Sequence, residues 1–166
     1  HNALNAAASI ILCLQEGIDL SIIKKSLDNF MGLDRRMQIL GKTSINNYDC
    51  MFIDDYGHHP TEIKSILEGV KNVHKNKKIV SVFEPHRYSR VLSLKNEFAK
   101  SFKDSDIVLL CPLYEAGERK NQKYNQYDFA KSISKLSKTQ VVIIKSQNDL
   151  NRFLKKNSKY HLHLMN

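Results

Sequence analysis

Three short, nearly continuous apolar runs, at 78–83, 107–111 and 141–144, constrain this chain more than any other feature. Each is too short for a helix. Amphipathic stretches separate them, with apolar residues recurring every three or four positions. Strands that are apolar on consecutive residues are buried on both faces, and strands alternating with helices form parallel sheets covered on both sides. The pattern therefore predicts an α/β fold, Rossmann-like, with a mostly parallel sheet and helices on both faces.

The rest of the chain fits around that frame. Residues 2–15 form an alanine- and leucine-rich helix pattern that Gly17 can close, and Asp19 or Ser21 starts a second helix with Leu20, Ile23, Leu27 and Phe30 on one face. The polar joint at 32–36 follows, and the pattern changes there from paired helices to strands and helices. We place a domain boundary at that joint, giving units 1–33 and 34–166. Further strands are expected at 37–40, 51–53 and 160–164, with 44–49 as a polar turn. Helices are expected over Ile63–Val73 spacing, over Leu94, Phe98 and Phe102, at about 127–136 and at 149–156.

Bulk properties exclude several classes. The 166 residues suit about one domain, and no apolar run approaches the ~20 residues of a membrane span. The chain opens mid-element on His1 without a signal peptide, and it reads as cut from a longer protein. Three cysteines in apolar runs, without paired spacing, suit buried hydrophobes in a reducing cytoplasm. The net charge of +9 could mark a nucleic-acid partner, but the lysines are scattered without a stripe or interleaved aromatics. A solvated surface and no nucleic acid is the better reading, with a stand-alone binding module as the alternative from another class.

Function concentrates where strands end. In a parallel sheet the loops beginning at Asp54, Glu84 and Pro112 share one edge, the place where open α/β sheets bind ligands. The first loop, Asp54-Asp55-Tyr56-Gly57-His58-His59-Pro60-Thr61-Glu62, crowds two carboxylates, a phenol and two imidazoles between a strand and a helix start. Adjacent histidines rarely face one ion, and no H-x-x-x-H or C-x-x-C spacing appears, so no metal site is assigned. Asp55 is better suited to ribose hydroxyls. In the second loop, Arg87 and Arg90 can present guanidiniums to one anion, with His86 as a titratable neighbour. An arginine at the positive end of a helix also argues for a bound anion. Tyr114, Glu115 and Glu118 line the site or cap a helix. No phosphate-gripping G-x-x-x-x-G-K-[ST] loop is present.

The segments HNALNA at 1–6, GLDRRMQILG at 32–41, DDYGHHPTEI at 54–63, FEPHRYSR at 83–90 and LYEAGE at 113–118 together resemble the Mur ligases. They lie in that family's order along nearly the whole chain. The resemblance implies a three-domain, ATP-dependent, amide-bond-forming enzyme of cytoplasmic peptidoglycan precursor synthesis. Residues 1–33 would be the last helices of its central ATP-binding domain. Residues 34–166 would be most of the C-terminal domain, lacking a glycine-rich segment that usually follows the last strand. It implies UDP-N-acetylmuramate, L-alanine and ATP as ligands, and Mg2+ held mainly by a central domain outside this chain. An N-terminal UDP-sugar domain would be a further partner. By motif, Asn2 and Asn5 match asparagines near the adenine, Arg36 an arginine reaching the phosphates, and Asp55 the ribose carboxylate. Tyr56, His58, Arg87 and Arg90 match residues around the amino acid and the muramyl carboxylate. Gly32 to Arg36 would be a hinge. The Pro85–Arg90 pattern favours alanine addition over a sister branch that attaches a whole tripeptide.

Overall fold

A computed structural model describes residues 2–30, 32–45, 48–156 and 161–165; the side chains of Asn2, Tyr48 and 161–165 lie outside the description. The chain forms two compact units, His1–Leu33 and Asp34–Asn166.

The first unit is a pair of helices, α1 (Asn2–Gln15) and α2 (Leu20–Asp28). Gly17, at φ 76, ends α1: its N–H bonds the Leu14 carbonyl while Ile18 N–H bonds that of Cys13. A side chain would strain that left-handed turn. Asp19 caps α2 by accepting from Ser21 N–H at 2.8 Å. Leu4, Ile11, Leu12, Leu20 and Ile22 are exposed.

The second unit holds a six-stranded sheet in the order β1 (Gln38–Ile45), β2 (Tyr48–Asp55), β6 (His161–Met165), β3 (Ile79–Phe83), β4 (Ile107–Leu110) and β5 (Gln140–Ile143). Every pairing is parallel except β1 with β2. The predicted architecture holds, with three differences. The short strand expected at 37–40 runs to Ile45, and its hairpin partner begins at Tyr48, so Ser44 and Asp49 lie in the ladder and not in a polar turn. β1 is a sheet-edge strand, largely exposed, so polar residues enter it without cost and an apolar run does not report it. The helix expected after β3 is two short ones, α4 (Tyr88–Ser93) and α5 (Lys95–Lys100), broken at Leu94. Finally, the last strand is inserted between β2 and β3, an order that hydrophobic spacing does not encode. Tyr160, expected to open it, lies outside the described residues.

Helices α3 (Pro60–Val73), α6 (Gln126–Ser137) and α7 (Gln147–Lys156) complete the unit. Period-2 alternation divides the strands between two cores. Ile79, Phe83, Val108 and Leu110 face α3, α5 and α6, meeting Ile63, Leu67, Phe98, Phe129 and Ile133. Val80, Val82, Ile107 and Leu109 face the other way, against Phe153 of α7. The apolar positions 63, 66, 67 and 70 of α3 form one stripe because three and four residues span about one turn. Ser81, buried in the centre, is satisfied by Ser105 Oγ at 2.5 Å. Cys50 is buried, whereas Cys13 and Cys111 are only partly covered. Among the described residues no helix is long and apolar enough to cross a membrane.

Candidate functional site

The loops after β2, β3 and β4 leave the sheet at its carboxyl edge, because those strands run parallel through β6. The loops after β3 and β4 are neighbours in space. β6 stands between them and the loop after β2. A cavity of about 500 Å³ lies at the opposite edge, among Lys42, Cys50, Met51, Val70, His74 and Ile79, and takes no part in the site.

The first loop is built around Asp55, which is 4% exposed. Its Oδ1 accepts Gly57 N–H at 2.7 Å and its Oδ2 accepts Met37 N–H at 2.9 Å. Burial pushes its pKa up; the two N–H donors and the nearby Arg36 charge act against that and offset only part of it. The turn before β1 is held further by Tyr56 N–H on the Arg35 carbonyl (2.7 Å). Arg35 Nε lies 3.5 Å from Asp54 Oδ2, and its guanidinium lies 4.8 Å from the Tyr56 ring centre. Arg35 and Met37 have positive φ, 57° and 51°, which side chains adopt at a cost of about 1–3 kcal/mol unless their surroundings enforce it. Asp55 is therefore turned inward, onto the turn that carries Arg36. Each of its carboxylate oxygens already accepts one backbone N–H.

The two histidines differ. His59 is the N-cap of α3, its Nδ1 accepting Thr61 N–H at 3.3 Å, and Glu62 Oε2 closes the capping box on His59 N–H at 3.0 Å. His59 is thus a helix cap. His58 Nδ1 stands 3.0 Å from the Tyr56 carbonyl oxygen. A carbonyl only accepts, so Nδ1 carries the proton there and Nε2 of the neutral ring keeps its lone pair. The His58 ring also meets Tyr56 edge-on, centres 5.0 Å apart. Tyr56 is exposed and His58 half-buried. Gly57 is required by close approach: a Cβ there would lie 2.7 Å from Ile66 Cδ1 and 3.0 Å from Asp55 Oδ1.

The second and third loops zip together. Tyr114 N–H bonds the Pro85 carbonyl (2.8 Å), and Arg87 N–H bonds the Tyr114 carbonyl (2.9 Å). Tyr88 Oη donates to Glu115 Oε1 at 3.0 Å, and Ser89 donates to Glu118 through both N–H (3.0 Å) and Oγ (2.5 Å). The hydrogen bonds from Ser89 hold the Glu118 carboxyl below its usual range. Arg87 is the exposed N-cap of α4 at φ 67, and Arg90 sits half-buried within its first turn. His86 is mostly covered, against Tyr114, with Nε2 3.3 Å from Glu84 Oε2 but off line for a hydrogen bond. Cys111, at the foot of the third loop, has its thiol pushed up to about 11 by burial, too high for a nucleophile near neutral pH.

Sequence reasoning missed these cross-loop links and the hold of Asp55 on Met37, since no local pattern encodes a contact 18 or 29 residues away. The Glu118 carboxylate, bonded to Ser89, offsets part of the unfavourable placing of an arginine at a helix start. Among the described residues Arg36, Arg87 and Arg90 have no carboxylate within 4.0 Å. Asn5 is exposed on α1, and the side chain of Asn2 lies outside the description. No group of three His, Cys, Asp or Glu side chains converges to hold a metal ion among the described residues.

A mostly parallel sheet covered by helices on both faces, with the loops after β2, β3 and β4 gathered at its carboxyl edge, defines a Rossmann-like α/β domain. The chain belongs to the Mur ligase family: the model described as Mur ligase, glutamate ligase domain matches residues 35–160. It is 41% identical over 155 residues to the UDP-N-acetylmuramate–L-alanine ligase of Pelagibacter ubique, covering 93% of this chain and 32% of that one. The ligase of the same name from Vesicomyosocius okutanii is 40% identical over 147 residues, covering 89% of this chain and 31% of that one. The crystal structure of UDP-N-acetylmuramate–alanine ligase from Thermotoga maritima superposes with a TM-score of 0.77 at 27% identity, over 99% of this chain and 34% of that one. The chain spans about a third of the length of the curated relatives it matches.

Proposed function

We propose that a full-length protein carrying this chain joins L-alanine to the lactyl carboxylate of UDP-N-acetylmuramate, using ATP, in peptidoglycan precursor synthesis in the cytoplasm. The observation that carries this reading is the set of three arginines, Arg36, Arg87 and Arg90, without carboxylate partners among the described residues. The reaction brings together a triphosphate and two carboxylates, and guanidiniums suit all of them. The names of the relatives at about 40% identity support the same reaction. In this reading residues 1–33 belong to a central ATP-binding domain, where Asn2 and Asn5 meet the adenine, and 34–166 to a C-terminal domain.

ATP with Mg2+ supplies the phosphoryl group that turns the lactyl carboxylate into an acyl phosphate. No residue of this chain is assigned to the magnesium. Arg36 faces the phosphates and offsets their charge. Arg87 pairs with the alanine carboxylate, which leaves the amine lone pair free, and Arg90 with His86 and Tyr56 orients the muramyl end. The amine nitrogen attacks the acyl carbon, and the carbon–oxygen bond to phosphate breaks. The proton shed by the amine passes to His58 Nε2. These roles position groups and stabilise charge, which is where amide-forming phosphoryl chemistry gains most.

The test is phosphate release by the full-length protein with ATP, magnesium and UDP-N-acetylmuramate, supplied with L-alanine or with the tripeptide in separate reactions. Turnover with L-alanine whose kcat/KM falls about a hundredfold in Arg87→Ala, leaving a measurable residual rate, is expected. Turnover on the tripeptide alone would move the reaction to the tripeptide-attaching branch, and none on either would end the ligase reading.

A further inference from the structure

An N-cap residue normally supplies a side-chain acceptor to the first free N–H groups of its helix. Arg87 occupies the N-cap of α4 and cannot do this, since a guanidinium only donates. The acceptor comes instead from Glu118, 29 residues beyond Ser89, whose carboxylate takes both Ser89 N–H and Ser89 Oγ–H. Glu115 takes the Tyr88 hydroxyl beside it, and the Arg87–Tyr114 and Tyr114–Pro85 backbone bonds complete the seam. The same carboxylate offsets the repulsion between an arginine and the positive end of the helix, and its charge acts on Arg87 itself. Arg87 is held at φ 67, a conformation that an arginine does not keep unaided.

We propose that Glu118 is a positioning residue: it takes over the capping of α4, so that the N-cap can be an arginine, and it fixes Arg87 for the carboxylate of the incoming amino acid. The proposal rests on the ligase reading for what Arg87 binds, and on hydrogen-bond geometry alone for what Glu118 holds. A gap in the cap would leave the backbone free to relax from φ 67 and carry the guanidinium away. The ligand would then bind less well while the reacting atoms, once bound, would remain the same.

The experiment uses the full-length protein with Glu118→Ala, Glu118→Gln, Arg87→Ala and the Glu118→Ala/Arg87→Ala double variant. Phosphate release is measured against L-alanine, and peptide hydrogen exchange is followed over residues 86–92. Glu118→Ala should raise KM for L-alanine about tenfold with kcat within about twofold, and Glu118→Gln, which keeps an acceptor, should do less. In the Arg87→Ala background the same change should add under about twofold, because coupled residues are not additive. An equal effect in both backgrounds, or a fall in kcat at constant KM, would overturn the positioning role. Exchange at Ser89 should quicken in Glu118→Ala whether or not alanine supports turnover, and unchanged exchange would overturn the clamp. Wild-type protein that ignores alanine would end the ligase reading, with the exchange result still deciding what Glu118 holds.

Discussion

Asp55 and Met37 are joined across 18 residues by a single hydrogen bond, from the Met37 N–H to Oδ2 at 2.9 Å, and this ties the turn carrying Arg36 to the loop carrying His58. The other carboxylate oxygen holds Gly57. Asparagine can accept only one of these bonds and sets an NH2 group against the other N–H. Asp55→Asn should therefore cost about 1–3 kcal/mol of stability, the range for an unsatisfied buried donor. In the full-length protein it should raise KM for ATP as Arg36 loosens. Chemical denaturation and ATP titration check the two halves separately.

His58 and His59 should separate cleanly. His59→Ala removes a helix cap and should cost about 1 kcal/mol, with turnover retained. His58→Ala removes no cap side chain, and should lower kcat at least about tenfold while leaving the melting temperature within a few degrees. Melting curves and steady-state rates on both variants decide this, and equal losses of rate would contradict the assignment.

Gly57→Ala places a methyl against Ile66 and the Asp55 carboxylate. Overpacking of this kind costs about 1–3 kcal/mol. The expected signature is a lower denaturant midpoint, and weaker ATP binding through the displaced Asp55.

Asp106 gives a pH dependence of known sign. Partial burial works to raise its pKa, but Lys78 Nζ at 2.7 Å and Ile79 N–H at 2.8 Å more than offset this and hold it below 3.8. A carboxylate whose folded value is depressed contributes stability above its unfolded value, and loses it as pH falls through the folded one. Asp106→Asn should cost about 1 kcal/mol at pH 7, and the gap from wild type should close below about pH 4. Thermal unfolding from pH 3 to 7 measures it. A gap that widens on acidification would be the wrong sign.

Fold class and the strands at 78–83 and 107–111 were legible in the sequence because burial on two faces leaves an unbroken apolar run, and both helices of the first unit were legible from apolar spacing and end signals. The edge strand β1 was legible only in part, since an exposed ladder tolerates Lys42, Thr43 and Ser44. The site residues announced themselves by type, but not by what they hold. Asp55 and Asp54 are the same residue in sequence terms, and only the fold buries one. His58 and His59 likewise part company on backbone direction alone. Glu118 was visible as a possible helix cap, yet nothing local shows that it caps a helix far behind it in the chain.

β6 lies between β2 and β3, although it is the last of the six strands in chain order. On a ribosome this has a temporal meaning. The hairpin and the β3–β5 layer can each form as they emerge, but neither can close on the other until residues 161–165 arrive. Until then β2 and β3 expose open strand edges, the surfaces most prone to pair with the wrong neighbour. Folding of this unit is therefore gated by β6. Emergence of residues 161–165, more than hydrophobic collapse, should set when the carboxyl edge acquires its three loops in register.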